Sequence, residues 1–121
     1  MDNGQLTMRK TENALKQKSY AFALDVVKMC ISLKEQHEFV LSRQLLRSGT
    51  AIGALVEEAN QAESKADFIH KLSIANKEAN ETQYWIRLLI DSEIIESVKG
   101  ESLLRKCIEL VKILTASIKN F

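Results

Sequence analysis

The chain has 121 residues, 45% of them hydrophobic, with no proline and a net charge of +1. That length and apolar content suit one domain with a real core and exclude a disordered chain. Near-neutrality removes a strong electrostatic case for nucleic acid, and no apolar run approaches the roughly 20 residues that span a bilayer.

With no proline to interrupt them, helices can run long. The first is expected over residues 11–34. One stripe is Leu15, Phe22, Val26, Met29 and Leu33, and beside it run Tyr20, Ala23, Val27 and Cys30. From Tyr20 to Leu24 apolar residues cover most of the circumference. A helix apolar nearly all round is buried on more than one side, and in a small bundle the extra side implies another subunit. The expected interface residues are Tyr20, Phe22, Leu24, Val27 and Ile31, with Trp85 from a later helix.

The second helix is expected over residues 42–62, with Ser42 as a cap for free amides at its start. Its apolar or small positions are Leu45, Gly49, Ile52, Val56 and Ala59, following Leu41. The third is expected over 65–91. Ser64 followed by Asp67 resembles a capping box with Asp in the Glu position. Its buried face reads Phe68, Leu72, Ala75, Ala79, Thr82, Ile86 and Leu89, in steps of four and three. The fourth, over 98–120, presents Leu104, Cys107, Val111, Leu114 and Ile118, with Gly100 weakening only its start.

Short connections between long helices predict an all-α, up-down-up-down four-helix bundle forming a single domain over residues 1–121. The middle hairpin can be put in register. With its turn centred near Glu63, Ile52 faces Ala75, Ala59 faces Phe68, and Gly49 falls beside Glu78 and Ala79. Gly49, Gly53, Ala75 and Ala79 are then expected to let the second and third helices approach closely. Each glycine costs about 1 kcal/mol of helix propensity, which tight packing must offset. The same register sets Arg47 level with Glu78 and Glu81, an expected interhelix ion pair, and Arg43 near Tyr84.

No catalytic constellation is visible. A di-iron bundle needs two Glu-x-x-His motifs and two further inward glutamates. Here only Asp67 and His70 have that interval, and the sole other histidine, His37, follows Lys34 by three. No cysteine cluster offers zinc and no glycine-rich loop offers a phosphate cradle. Cys30 and Cys107 sit at core spacing and read as buried free thiols. The expectation is therefore a non-enzyme with no cofactor, no metal and no small-molecule substrate. Tyr84 and Trp85 are adjacent and point about 100° apart, so one faces inward and the other an edge or partner. With acidic Glu78, Glu81 and Asp91 around them, they do not make a base-stacking platform.

Charge is uneven along the chain. Residues 1–34 carry +3 and residues 35–62 carry −2. Arg9, Lys10, Lys16 and Lys18 make a basic N-terminal end, read either as a solvated helix start or as a polyanion contact that oligomerisation would multiply into a rim. Met1 to Lys10 lack the apolar segment of a secretory signal, and with free thiols this predicts a cytoplasmic protein without membrane association.

Four strings in the middle of the chain carry a resemblance. They are Ser42-Arg43-Gln44-Leu45-Leu46-Arg47-Ser48-Gly49, Ala51-Ile52-Gly53-Ala54-Leu55-Val56-Glu57-Glu58, Ser64-Lys65-Ala66-Asp67-Phe68-Ile69-His70-Lys71 and Lys77-Glu78-Ala79-Asn80-Glu81-Thr82-Gln83-Tyr84-Trp85. Together they resemble the four-helix-bundle proteins encoded in intervening sequences of bacterial 23S rRNA genes. Family members commonly show Ser-Ile-x-x-Asn where this chain has Ala51-Ile52-Gly53-Ala54-Leu55, so serine and asparagine are lost at 51 and 55. The resemblance implies a closed bundle that assembles into a ring, a homopentamer in known cases, and implies no reaction. A similar ring fold serves as an accessory protein of diversity-generating retroelements, an analogy of fold alone. The alternative expectation, carried by the basic rim, is a nucleic-acid-binding protein whose partner is RNA or a nucleic-acid-processing protein.

Overall fold

In the computed structural model, the backbone is described for residues 3–120 and the side chains for residues 10–120. Four helices account for nearly all of it: α1 (Asn3–Glu35), α2 (Val40–Ala59), α3 (Lys65–Asp91) and α4 (Ser97–Lys119), and no strand occurs among the described residues. None of these helices is long and apolar enough to cross a membrane.

Each helix is placed by its apolar stripe. Leu15, Phe22, Val26, Cys30 and Leu33 of α1 meet Leu45, Ile52 and Val56 of α2, Leu72, Ala75, Ala79, Ile86 and Leu89 of α3, and Leu103, Cys107, Leu110 and Leu114 of α4 in one core. The helices pack in a closed cycle: α1 on α2, α2 on α3, α3 on α4, and α4 back on α1. Residue order reverses across the cross-links. Lys16 reaches Glu57 while Cys30 reaches Ser42, and Glu58 reaches Lys71 while Arg47 reaches Glu81.

The helix ends have separate local causes. Ser64 caps α3 by accepting from the Asp67 amide at 3.0 Å, and Asp67 reaches back to the Glu63 amide at 3.4 Å, close to the expected box. The start of α2 differs from expectation. The helix begins at Val40, and the Glu38 carboxylate accepts from the Leu41 amide at 2.7 Å. Ser42 is already inside the first turn and donates to the Phe39 carbonyl. α1 and α3 both end with a residue in the left-handed region, His37 (φ 63°) and Glu93 (φ 60°). In each case the next amide bonds back five residues, Glu38 to Leu33 and Ile94 to Leu89, both closing Schellman turns without glycine.

The glycines serve a different interface from the one expected. A Cβ on Gly49 would lie 2.9 Å from both Val26 methyls, and one on Gly53 would lie 3.3 Å from the Ser19 carbonyl oxygen. The glycines therefore let α1, rather than α3, approach α2 closely. Ser48 and Arg47 turn toward α3, and Gly49, about 100° further round, turns the other way. Gly100 also has a role beyond weakening a helix start: a Cβ there would fall 2.6 Å from Ile90 Cγ1. Its bare backbone lets the first turn of α4 sit down on the end of α3.

Candidate functional surface

The best-defined polar cluster ties α2 to α3. Arg47 Nη1 donates to Glu78 Oε2 at 3.1 Å, and Nη2 donates to Glu81 Oε2. Trp85 Nε1 donates to the same Glu81 oxygen at 3.0 Å. Beneath it, the Thr82 hydroxyl is hydrogen-bonded to that of Ser48 at 2.9 Å and to the Glu78 carbonyl at 2.7 Å. The side chain of Arg47 is 51% exposed. The guanidinium is thus satisfied by two carboxylates at the surface, an arrangement that fixes register and leaves little for a ligand.

The aromatic neighbours divide as adjacency requires. Trp85 is half-buried against the core, while Tyr84 is exposed, with the rings edge-on at 5.1 Å. One turn on from Tyr84, Leu88 is also exposed, a pairing that the reading of core positions passed over. Its signal was available: two large apolar residues four apart on the face away from Ala75, Ala79 and Ile86.

α1 carries the larger apolar surface. Tyr20, Leu24, Val27 and Ile31 are exposed, at 63%, 47%, 38% and 54% respectively. Their spacing of four, three and four puts them in one stripe on the outside of the helix. Phe22 leaves this set. It is 1% exposed and belongs to the core, because it shares a face with Leu15, Val26 and Leu33. The density of apolar residues between Tyr20 and Leu24 concealed which of them faced inward.

Two of the four N-terminal cations are paired with carboxylates. Lys18 bonds Glu109 at 2.9 Å, and Lys16 lies 3.7 Å from Glu57. Lys10 is exposed, and the Arg9 side chain lies outside the described residues. Both histidines are exposed, and among the described residues no group of three or more metal-ligating side chains comes together.

Both thiols are buried and unbridged. Cys30 donates to the Ser42 carbonyl at 3.3 Å and Cys107 to the Ala79 carbonyl at 3.2 Å. Burial pushes Cys107 up to about 12, and pushes Cys30 up to about 11 against the opposing pull of Lys34. Such thiols stay protonated and act as small packing groups rather than nucleophiles.

Four helices around one core, a surface ion-pair clasp and an uncovered apolar stripe define a small all-α protein. The model of the 23S rRNA-intervening sequence protein family matches residues 11–116, and the chain belongs to that family. It is also similar to the crystal structure of a protein of unknown function from the S23 ribosomal protein family of Bacteroides thetaiotaomicron. The two are 50% identical with a TM-score of 0.87, over 90% of this chain and 98% of that one. No curated protein matches the chain.

Proposed function

We propose that this protein is a non-enzymatic, up-down-up-down four-helix protomer that binds copies of itself in a ring and serves as a scaffold or partner-binding assembly. The observation that carries the reading is the uncovered stripe of Tyr20, Leu24, Val27 and Ile31 on α1. Contiguous apolar faces of this kind mark interaction surfaces.

The second apolar patch, Tyr84 and Leu88, lies on α3, which sits diagonally across the cycle of helices from α1. Val26 abuts Gly49, and Ser48 bonds Thr82, so the middle of the stripe and Tyr84 lie at similar heights along the helices. Rotation about an axis parallel to the helices can therefore set the stripe of one copy against the patch of the next. Two unlike patches make a head-to-tail contact, which closes into a ring when the rotation fits.

The energetics also favour closure. Burying the remaining exposed part of six such side chains is worth about 1 kcal/mol each, roughly 6 kcal/mol per contact. That is near the low end of the ~4–15 kcal/mol cost of association. An open dimer is then marginal, while a closed ring gives every copy two contacts. The number five rests on the family resemblance alone.

Light scattering on two double variants tests the pairing. Leu24→Asp with Ile31→Asp, and Tyr84→Asp with Leu88→Asp, should each reduce the assembly to the 13.7 kDa protomer while helix content is kept. Wild-type size in either variant would count against the reading.

A further inference from the structure

α1 and α4 make the least extensive contact of the four neighbouring pairs. Near the start of α4 they part and leave a groove of about 470 Å³. Ser32 and Ser102 line its sides without filling it. Its apolar surface comes from Leu103, which is buried, Met29, which is half-buried, and Val98, which is exposed.

The charges around the groove are unequal. Lys106 is held by Asp25 at 2.7 Å, and further along the same helix pair Lys18 is held by Glu109. Lys28 on α1 and Lys99 on α4 also line the groove, and neither takes part in an ion pair among the described residues. Two unneutralised cations thus flank an apolar surface, one from each wall.

We infer that this groove binds a short acidic amphipathic helix of a partner protein. Its apolar side chains would rest on Met29, Val98 and Leu103, and its carboxylates would meet Lys28 and Lys99. The walls run over residues 25–32 of α1 and 98–106 of α4. At 1.5 Å per residue that is about 11 Å, room for two helical turns of an occupant. Grooves between helices take amphipathic helices in this way, and methionine adapts to different apolar partners.

The lining fits a peptide better than nucleic acid. It has no aromatic ring on which a base could stack, and its floor is apolar. The groove is centred about 120° round α1 from the exposed stripe, at 100° per residue, with Lys28 on the side nearer the stripe.

The test uses fluorescent, helix-stabilised peptides of about 14 residues with leucines at three- and four-residue spacing, flanked by glutamates or, as control, by lysines. A labelled uridine oligonucleotide is the third probe. Anisotropy should show the glutamate peptide binding at least roughly tenfold more tightly than the lysine peptide, and weakening as salt rises from about 50 to 300 mM. Lys28→Glu with Lys99→Glu should remove at least about tenfold of that affinity, and Val98→Ser should weaken it further. All three positions are exposed, and circular dichroism checks that the fold is kept. Equal binding of the two peptides, no binding below about 1 mM, or insensitivity to charge reversal would overturn the inference. So would tighter capture of the oligonucleotide through the same lysines, or loss of self-association on adding peptide, which would make a second copy the occupant.

Discussion

Adding one methyl group at Gly49 probes how closely the first two helices are packed. On propensity alone, Gly49→Ala should stabilise α2 by about 1 kcal/mol. The structure opposes this. The new Cβ would stand 2.9 Å from both methyls of Val26 and 3.3 Å from its Cβ. Carbon atoms prefer about 3.5–4.0 Å, so a gap of up to roughly 1 Å must be opened. Val26 is fully buried and, being β-branched, has little rotamer freedom with which to move aside. Overpacking of this kind costs about 1–3 kcal/mol, giving a net loss of about 0–2 kcal/mol instead of a gain. Val26→Ala removes the obstructing methyls, so the two substitutions should couple. Val26→Ala should cost less in the Gly49→Ala background than in the wild-type background, by about 1 kcal/mol. Urea unfolding of the four proteins at fixed protein concentration measures this directly, with m-values checking that the transition stays two-state. A Gly49→Ala protein more stable by the full ~1 kcal/mol, with strict additivity, would refute the tight fit of this contact.

A double-mutant cycle on Arg47→Ala and Glu81→Ala should give a coupling of up to about 1 kcal/mol, because Arg47 is half-exposed; a coupling of about 3–5 kcal/mol, of the order of a buried pair, would contradict the clasp's surface character. His37→Gly and Glu93→Gly relieve left-handed backbone at two helix ends, and each should raise stability by about 0.5–1 kcal/mol in thermal or urea melts; a loss in both would show the turns are not strained. The thiols set a pH limit. Their usual value is 9.0, and burial holds them protonated in the fold to about 11 for Cys30 and about 12 for Cys107. The unfolded chain therefore ionises first, so their contribution is intact below pH 9 and falls as pH rises toward 11–12. Cys30→Ala with Cys107→Ala should flatten part of that alkaline fall, and a disulfide reagent near pH 8 should label the native wild-type thiols only at the rate of unfolding.

Much of the core could be read from spacing because large apolar residues recur where they must. The α2–α3 register followed from the short turn at Glu63, and it brought Arg47 to Glu78 and Glu81. Ser64 and Asp67 marked the α3 start because capping needs those side chains at that interval. Other features had no local signature. Nothing near Glu38 announces that its carboxylate caps α2, and His37 and Glu93 are not the residues that usually mark a left-handed turn. The α2–α3 register alone cannot show the partner of Gly49, because the glycine faces Val26 of α1. Along α1, apolar residues on every side left no contrast from which to separate Phe22, in the core, from Tyr20 and Leu24, on the surface. The groove near Lys28 and Lys99 depends on how far α1 and α4 separate, a distance that no stretch of sequence encodes locally.

The proposed assembly turns on cover for α1 from another copy of the chain. Sedimentation velocity of the wild-type protein at low micromolar concentration measures this most directly. It should give a single closed species at an integral multiple of 13.7 kDa, persisting on dilution. A lone 13.7 kDa particle across the same concentration range, with Tyr20, Leu24, Val27 and Ile31 left in water, would contradict it.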